Sequence, residues 1–209
     1  MTASAERVEP AAWRAADVAK CAVAGLAGTA GLLLLFPGGS LSRITHRALH
    51  LPGPGSGVCA FYGPLVILCA LLAGRWVRKP GAALCSAAAL GLLHSVFTPI
   101  LFPGAKTVGT VGPLPLRVLG VLVLGAVLEY GCRVLNGRTA WLRNLSSAAA
   151  ANLALLLFYW SAVYPLVSKR PVRPASAAIL ILIAVLSGAL LGGCLPALLA
   201  DKRPRRGLT

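Results

Sequence analysis

Six long runs of apolar residues alternate with short connectors that are polar, basic or rich in Gly and Pro. The runs lie at about 18–36, 58–73, 80–102, 116–132, 145–167 and 175–199. A helix needs roughly 20 apolar residues to cross about 30 Å of hydrocarbon. The bilayer core holds no water for backbone groups, so such runs are read as helices. The pattern therefore predicts an all-α integral membrane bundle of about six transmembrane helices. Its parts are an N-terminal segment, 1–17, a transmembrane domain, 18–199, and a basic tail, 200–209. Pro64 predicts a kink near the start of the second run, and Pro80 suits the first turn of the third. No internal repeat is visible, which argues against an inverted-repeat carrier.

The connectors set the expected orientation. Of the 20 Lys and Arg, 13 lie before or at the start of the first run or after the second, fourth and sixth, and 7 lie on the other side. The positive-inside rule then places both termini in the cytoplasm. A net charge of +15 would suggest nucleic acid in a soluble protein. Here the charges sit at helix ends, where they meet anionic headgroups. No aromatic-interleaved basic patch suggests base stacking, so no nucleic-acid partner is expected.

Composition narrows the chemistry further. The hydrophobic fraction of 57% and mean hydropathy of +0.81 exceed those of a soluble domain. The 209 residues leave no room for a separate catalytic or nucleotide-binding domain, and no Walker-type glycine loop is present. The six cysteines form no C-x-x-C pair and read as small buried hydrophobes, so neither a metal site nor a cofactor is expected. The first 20 residues carry acidic side chains and lack an early apolar core, so they read as retained rather than as a signal peptide. The Ala, Gly and Arg usage fits a GC-rich prokaryote, and hence a plasma membrane.

Few polar groups lie within the runs, and these are the candidates for function. Glu129 is the one carboxylate inside a run so bounded. It sits near the cytoplasmic end of the fourth, where it can pair with Arg133 one turn on. His94 lies in the outer half of the third run beside Ser95 and Thr98, and either binds a ligand or satisfies a carbonyl. Opposite helix directions separate it in depth from Glu129. Asn152 is an amide among alanines that can glue helices or line a cavity. Phe158, Tyr159, Trp160 and Tyr164 follow it, either as an interfacial belt or as a wall for a flat ring. Phe61 and Tyr62 can supply a second wall. Phe61, Tyr62, His94, Asn152, Tyr159 and Trp160 thus form the predicted substrate site, in the outer half of the bundle.

The first run reads AVAGLAGTAG, with Ala24 and Gly28, and Ala27 and Gly31, at four-residue spacing. Such stripes let helix backbones approach closely, within the chain or against a partner. No nucleophile elbow, H-E-x-x-H or paired carboxylates appear, so no enzyme activity is expected.

In layout the chain resembles the substrate-binding membrane subunits, or S components, of energy-coupling factor transporters. The shared features are six spans in about 200 residues, the small-residue stripe, a long connector ending LPGPGSG, and the RKPGAAL lead into the third run. The last is similar to members that carry thiamine or its pyrimidine precursor. The resemblance implies a small vitamin-like substrate in the outer half and a gate at about 38–57. It also implies docking of Ala24, Ala27, Gly28 and Gly31 onto a transmembrane coupling subunit, with ATPase subunits beneath. An aromatic pocket with few charges would favour a neutral or weakly basic ring. Two other readings stay open: a membrane assembly protein without a ligand, and a small lipid-modifying enzyme.

Overall fold

The computed structural model describes residues 12–35, 49–51, 55–103, 113–167 and 171–201. All regular structure among them is helical. Six helices are long and apolar enough to cross a membrane: α1 (Ala15–Leu35), α2 (Val58–Val77), α3 (Ala82–Leu101), α4 (Leu114–Val134), α5 (Ala140–Leu166) and α6 (Pro174–Leu198). The expected all-α six-span bundle is the fold of the chain. Most of the predicted gate at 38–57, and nearly all of the tail, lie outside the described residues.

Helix ends differ from the pattern where a polar group caps them. α5 starts at Ala140 because Thr139 Oγ1 accepts the Leu142 N–H at 3.3 Å. α1 starts at Ala15, and Asp17 in its first turn accepts the Arg14 N–H at 3.0 Å. This corrects the expectation that Glu129 is the one carboxylate within a span. Asp17 is affordable there because Lys79 Nζ lies 2.6 Å from its carboxylate. Pro80 stands in the turn before α3 rather than in its first helical turn. Arg78 and Gly81 both take positive φ, 56° and 85°, and they reverse the chain between α2 and α3.

α2 packs against all five other helices and is the axis of the bundle. In it 61% of the membrane-length window is buried, against 28 to 39% elsewhere. Around it α3, α4, α5 and α6 follow in chain order, and α1 lies on α3 and α2. The core fills with Val66, Ile67, Leu90, Leu124, Leu128 and Leu156, all essentially inaccessible. Leu34, Leu182 and Leu190 turn outward, as a bilayer permits.

Polar ties fasten one end of the bundle, the end that holds both termini of the helical core. Besides Asp17 and Lys79, Glu129 Oε1 accepts the Gly81 N–H at 2.9 Å and lies 3.4 Å from Arg133. The Arg133 pairing was expected; the bond to Gly81 was not, because it joins residues far apart in sequence. Arg75 Nη1 donates to the Pro196 carbonyl at 2.7 Å, and Lys79 also donates to the Ala12 carbonyl.

Three stretches widen to π-helix: Val58–Tyr62 in α2, Tyr159–Val163 in α5 and Gly188–Cys194 in α6. A proline follows each, at Pro64, Pro165 and Pro196. Proline lacks an N–H and its ring clashes with the carbonyl four residues back. An extra residue in the preceding turn removes that clash.

Candidate functional site

Two of the π-turns face each other across a cleft at the end of the bundle opposite the termini. Val58 and Tyr62 line it from α2, Leu116, Arg117, Gly120 and Val121 from α4, and Leu155, Phe158, Tyr159 and Val163 from α5. It encloses about 390 Å³, its open mouth included. The cavity proper is about 40 Å³, below the size range of small-molecule pockets, so most of that space is open mouth. Gly120 keeps it open, since a Cβ there would lie 3.1 Å from the Phe158 ring.

His94 stands behind the cleft wall. Its ring centre is 5.2 Å from that of Tyr62, tilted by 53°. The imidazole is 7% exposed, and its Nδ1 has no partner among the described residues. Thr98 Oγ1 donates to the His94 carbonyl at 2.6 Å, so the hydroxyl serves the helix.

Arg117 supplies the one charge in the lining. It occupies the first turn of α4, where the helix dipole disfavours a cation. Its Nε and Nη1 are buried and find no acceptor among the described residues. The guanidinium is close enough to Tyr62 and His94 to act on both electrostatically.

The structure divides the predicted site residues. Tyr62 and Tyr159 line the cleft, and His94 backs it. Phe61 packs on the main core. Trp160 packs with Cys59, Leu156, Leu180 and Ala184, on the side of α5 that meets α6. Asn152 is fully buried at a three-helix junction. Its Nδ2 lies 2.8 Å from the Cys59 carbonyl of α2, and 2.9 Å from the Ala184 carbonyl and 3.1 Å from Ser187 Oγ of α6. Sequence reading missed Arg117, which it counted as a topology charge. The available signal was a cation in the first turn of a helix, facing connectors without a single carboxylate.

The small-residue stripe divides too. A Cβ on Gly28 would lie 2.5 Å from Leu90 Cδ1 and 2.7 Å from Cys69 Sγ, so Gly28 serves packing within the chain. Gly31 has open space where a Cβ would be, and Ala27 is exposed beside it. Ala24 is half-buried.

A second, wider cleft lies at the end that holds the termini. Arg75, Arg78, Lys79, Glu129, Arg133 and Arg143 are among its lining. Several of these are already engaged, Arg143 with Asn136 Oδ1 at 3.4 Å and Arg75 with the Pro196 carbonyl.

No family model matches the chain, and no curated protein matches it. A solved structure does, described as an S-component of an ECF transporter, with a TM-score of 0.66. This chain has the S-component fold. The alignment covers 91% of this chain and 85% of that one at 19% identity, so the likeness is one of fold.

Proposed function

We propose that this chain is the membrane-embedded substrate-binding subunit of an uptake system for a small vitamin-like molecule. A separate transmembrane coupling subunit and ATPase subunits supply the energy. The observation that carries this reading is the aromatic cleft between the π-turns of α2 and α5, within an S-component fold. Tyr62, Phe158 and Tyr159 offer ring faces, and flat ligands stack well on such faces. The cleft lies opposite the termini, and the charge bias of the connectors supports a cytoplasmic location for the termini in a prokaryotic plasma membrane. The substrate then enters from outside. The RKPGAAL lead into α3 favours a ligand of the thiamine or pyrimidine-precursor kind. The coupling subunit docks on the open part of α1 at Ala27 and Gly31, with Ala24 at its margin.

Native mass spectrometry after mild detergent extraction tests the reading. A ring compound of fixed mass is expected to co-purify. Tyr159→Ala is expected to weaken its retention by about tenfold, from the loss of one stacking face. A protein that is empty, and stays empty after incubation with a vitamin panel, returns the choice to an assembly protein or a lipid enzyme.

A further inference from the structure

We propose that the ligand of the α2, α4 and α5 cleft carries an anionic group, a carboxylate or a phosphate, that pairs with Arg117. The inference rests on the substrate-subunit reading and sharpens it. Four observations converge. Arg117 lines the cleft, and its Nε and Nη1 are buried without an acceptor among the described residues. A buried cation costs free energy unless it is paired. Its place at the start of α4 adds the opposing helix dipole.

Among the described residues no carboxylate lines the cleft. The chain's five acidic residues are Glu6, Glu9, Asp17, Glu129 and Asp201. Glu6 and Glu9 precede α1, Asp17 and Glu129 are tied at the far end, and Asp201 follows α6 there. Along α4 alone, Glu129 is about 18 Å from Arg117 at 1.5 Å per residue. The sequence at 36–57, 102–116 and 167–174 contains no Asp or Glu, yet carries Arg43, Arg47, Lys106, Lys169, Arg170 and Arg173. Among the described residues this end carries Arg117 and Arg173 and no Asp or Glu, which raises the local concentration of an anion.

Guanidinium N–H groups in a fork match carboxylate and phosphate geometry. The ring itself remains neutral or weakly basic, as the aromatic lining favours, and the anionic substituent distinguishes the substrate from its uncharged analogue. Discrimination of this kind is strong, because the analogue leaves Arg117 Nε and Nη1 unpaired.

The test uses the full chain in phosphatidylcholine nanodiscs and matched pairs that differ only in the anion. The pairs are nicotinate and nicotinamide, biotin and its amide, pyridoxine phosphate and pyridoxine, and thiamine monophosphate and thiamine. In whichever pair binds, the anionic member is expected to bind about tenfold or more tightly. Arg117→Gln is expected to erase that advantage, bringing the two members of the pair to within about twofold of each other. Arg117→Lys is expected to keep part of it. Equal binding of both members by the unmodified chain overturns the proposal without any variant, and so does a co-purifying ligand that carries no anionic group, neutral or cationic. An anionic lipid retained by the unmodified chain and released by Arg117→Gln, with no preference within the pairs, overturns it in favour of a headgroup site. Absence of any co-purifying molecule and of binding by every pair member overturns the substrate-subunit reading, and this proposal with it.

Discussion

Asn152 and Arg117 show how much a single polar residue depends on what surrounds it. Both are polar groups within or beside apolar runs, yet only Asn152 stood out from the sequence as a candidate for function. Asn152 sits between two glycines that make room for it. A Cβ on Gly63 would lie 1.9 Å from its Oδ1, and one on Gly188 would lie 2.8 Å from its Cβ. Its amide therefore reaches backbone carbonyls of α2 and α6 and clamps three helices. Asn152→Ala is expected to cost about 2 kcal/mol, because the Ala184 carbonyl loses its side-chain donor and the Cys59 carbonyl keeps only Ser187. The check is thermal unfolding of purified protein in detergent. Ligand affinity of the folded fraction is expected to stay within about twofold, since Asn152 does not line the cleft. A large loss of affinity at unchanged stability would restore it to the substrate site.

At the scale of the helix, α1 separates two uses of one small-residue stripe. Gly28 lets α1 close on Leu90 of α3 and Cys69 of α2. Gly31, one turn on, meets nothing. Gly28→Leu is expected to destabilise the isolated subunit by about 1–3 kcal/mol through overpacking. Gly31→Leu is expected to leave unfolding temperature unchanged and to reduce co-purification with a co-expressed coupling subunit. The π-turns are a second property of elements. Each precedes a proline by sequence, but which side chains it presents follows from the neighbouring helices. In α2 and α5 the widened turns bring Tyr62 and Tyr159 to a common cleft, whereas the widened turn of α6 packs Gly192 on Ile67.

For the whole molecule, the ties among Asp17, Lys79, Glu129, Gly81, Arg75 and Pro196 define one end, and the aromatic cleft defines the other. Orientation in the membrane decides whether that cleft meets its substrate. Gly137 lies in the exposed turn between α4 and α5, and Pro171 in the exposed link before α6. In intact cells a membrane-impermeant thiol reagent is expected to label Pro171→Cys and to label Gly137→Cys only after lysis. The native cysteines lie within the spans, two of them buried, and give a low background. The reverse pattern would place the cleft at the cytoplasm and remove uptake from its possible roles.

Long apolar runs by themselves determined that the chain is a helical membrane bundle, because a bilayer leaves an apolar segment one way to satisfy its backbone. They also located the helices to within a few residues, and the aromatic cluster at 158–164 pointed to one wall of the cleft. The tertiary structure alone decided which of two nearby groups serves packing and which faces a cavity. Trp160 and Tyr159 are adjacent in sequence yet face different helices. Gly28 and Gly31 share a stripe yet one is covered and one is open. Arg117 reads as an interfacial charge until α2 and α5 are seen beside it. The physical reason is common to all three: hydropathy fixes how deep a side chain lies, while its direction around the helix axis matters only against specific neighbours, and those neighbours are far away in sequence.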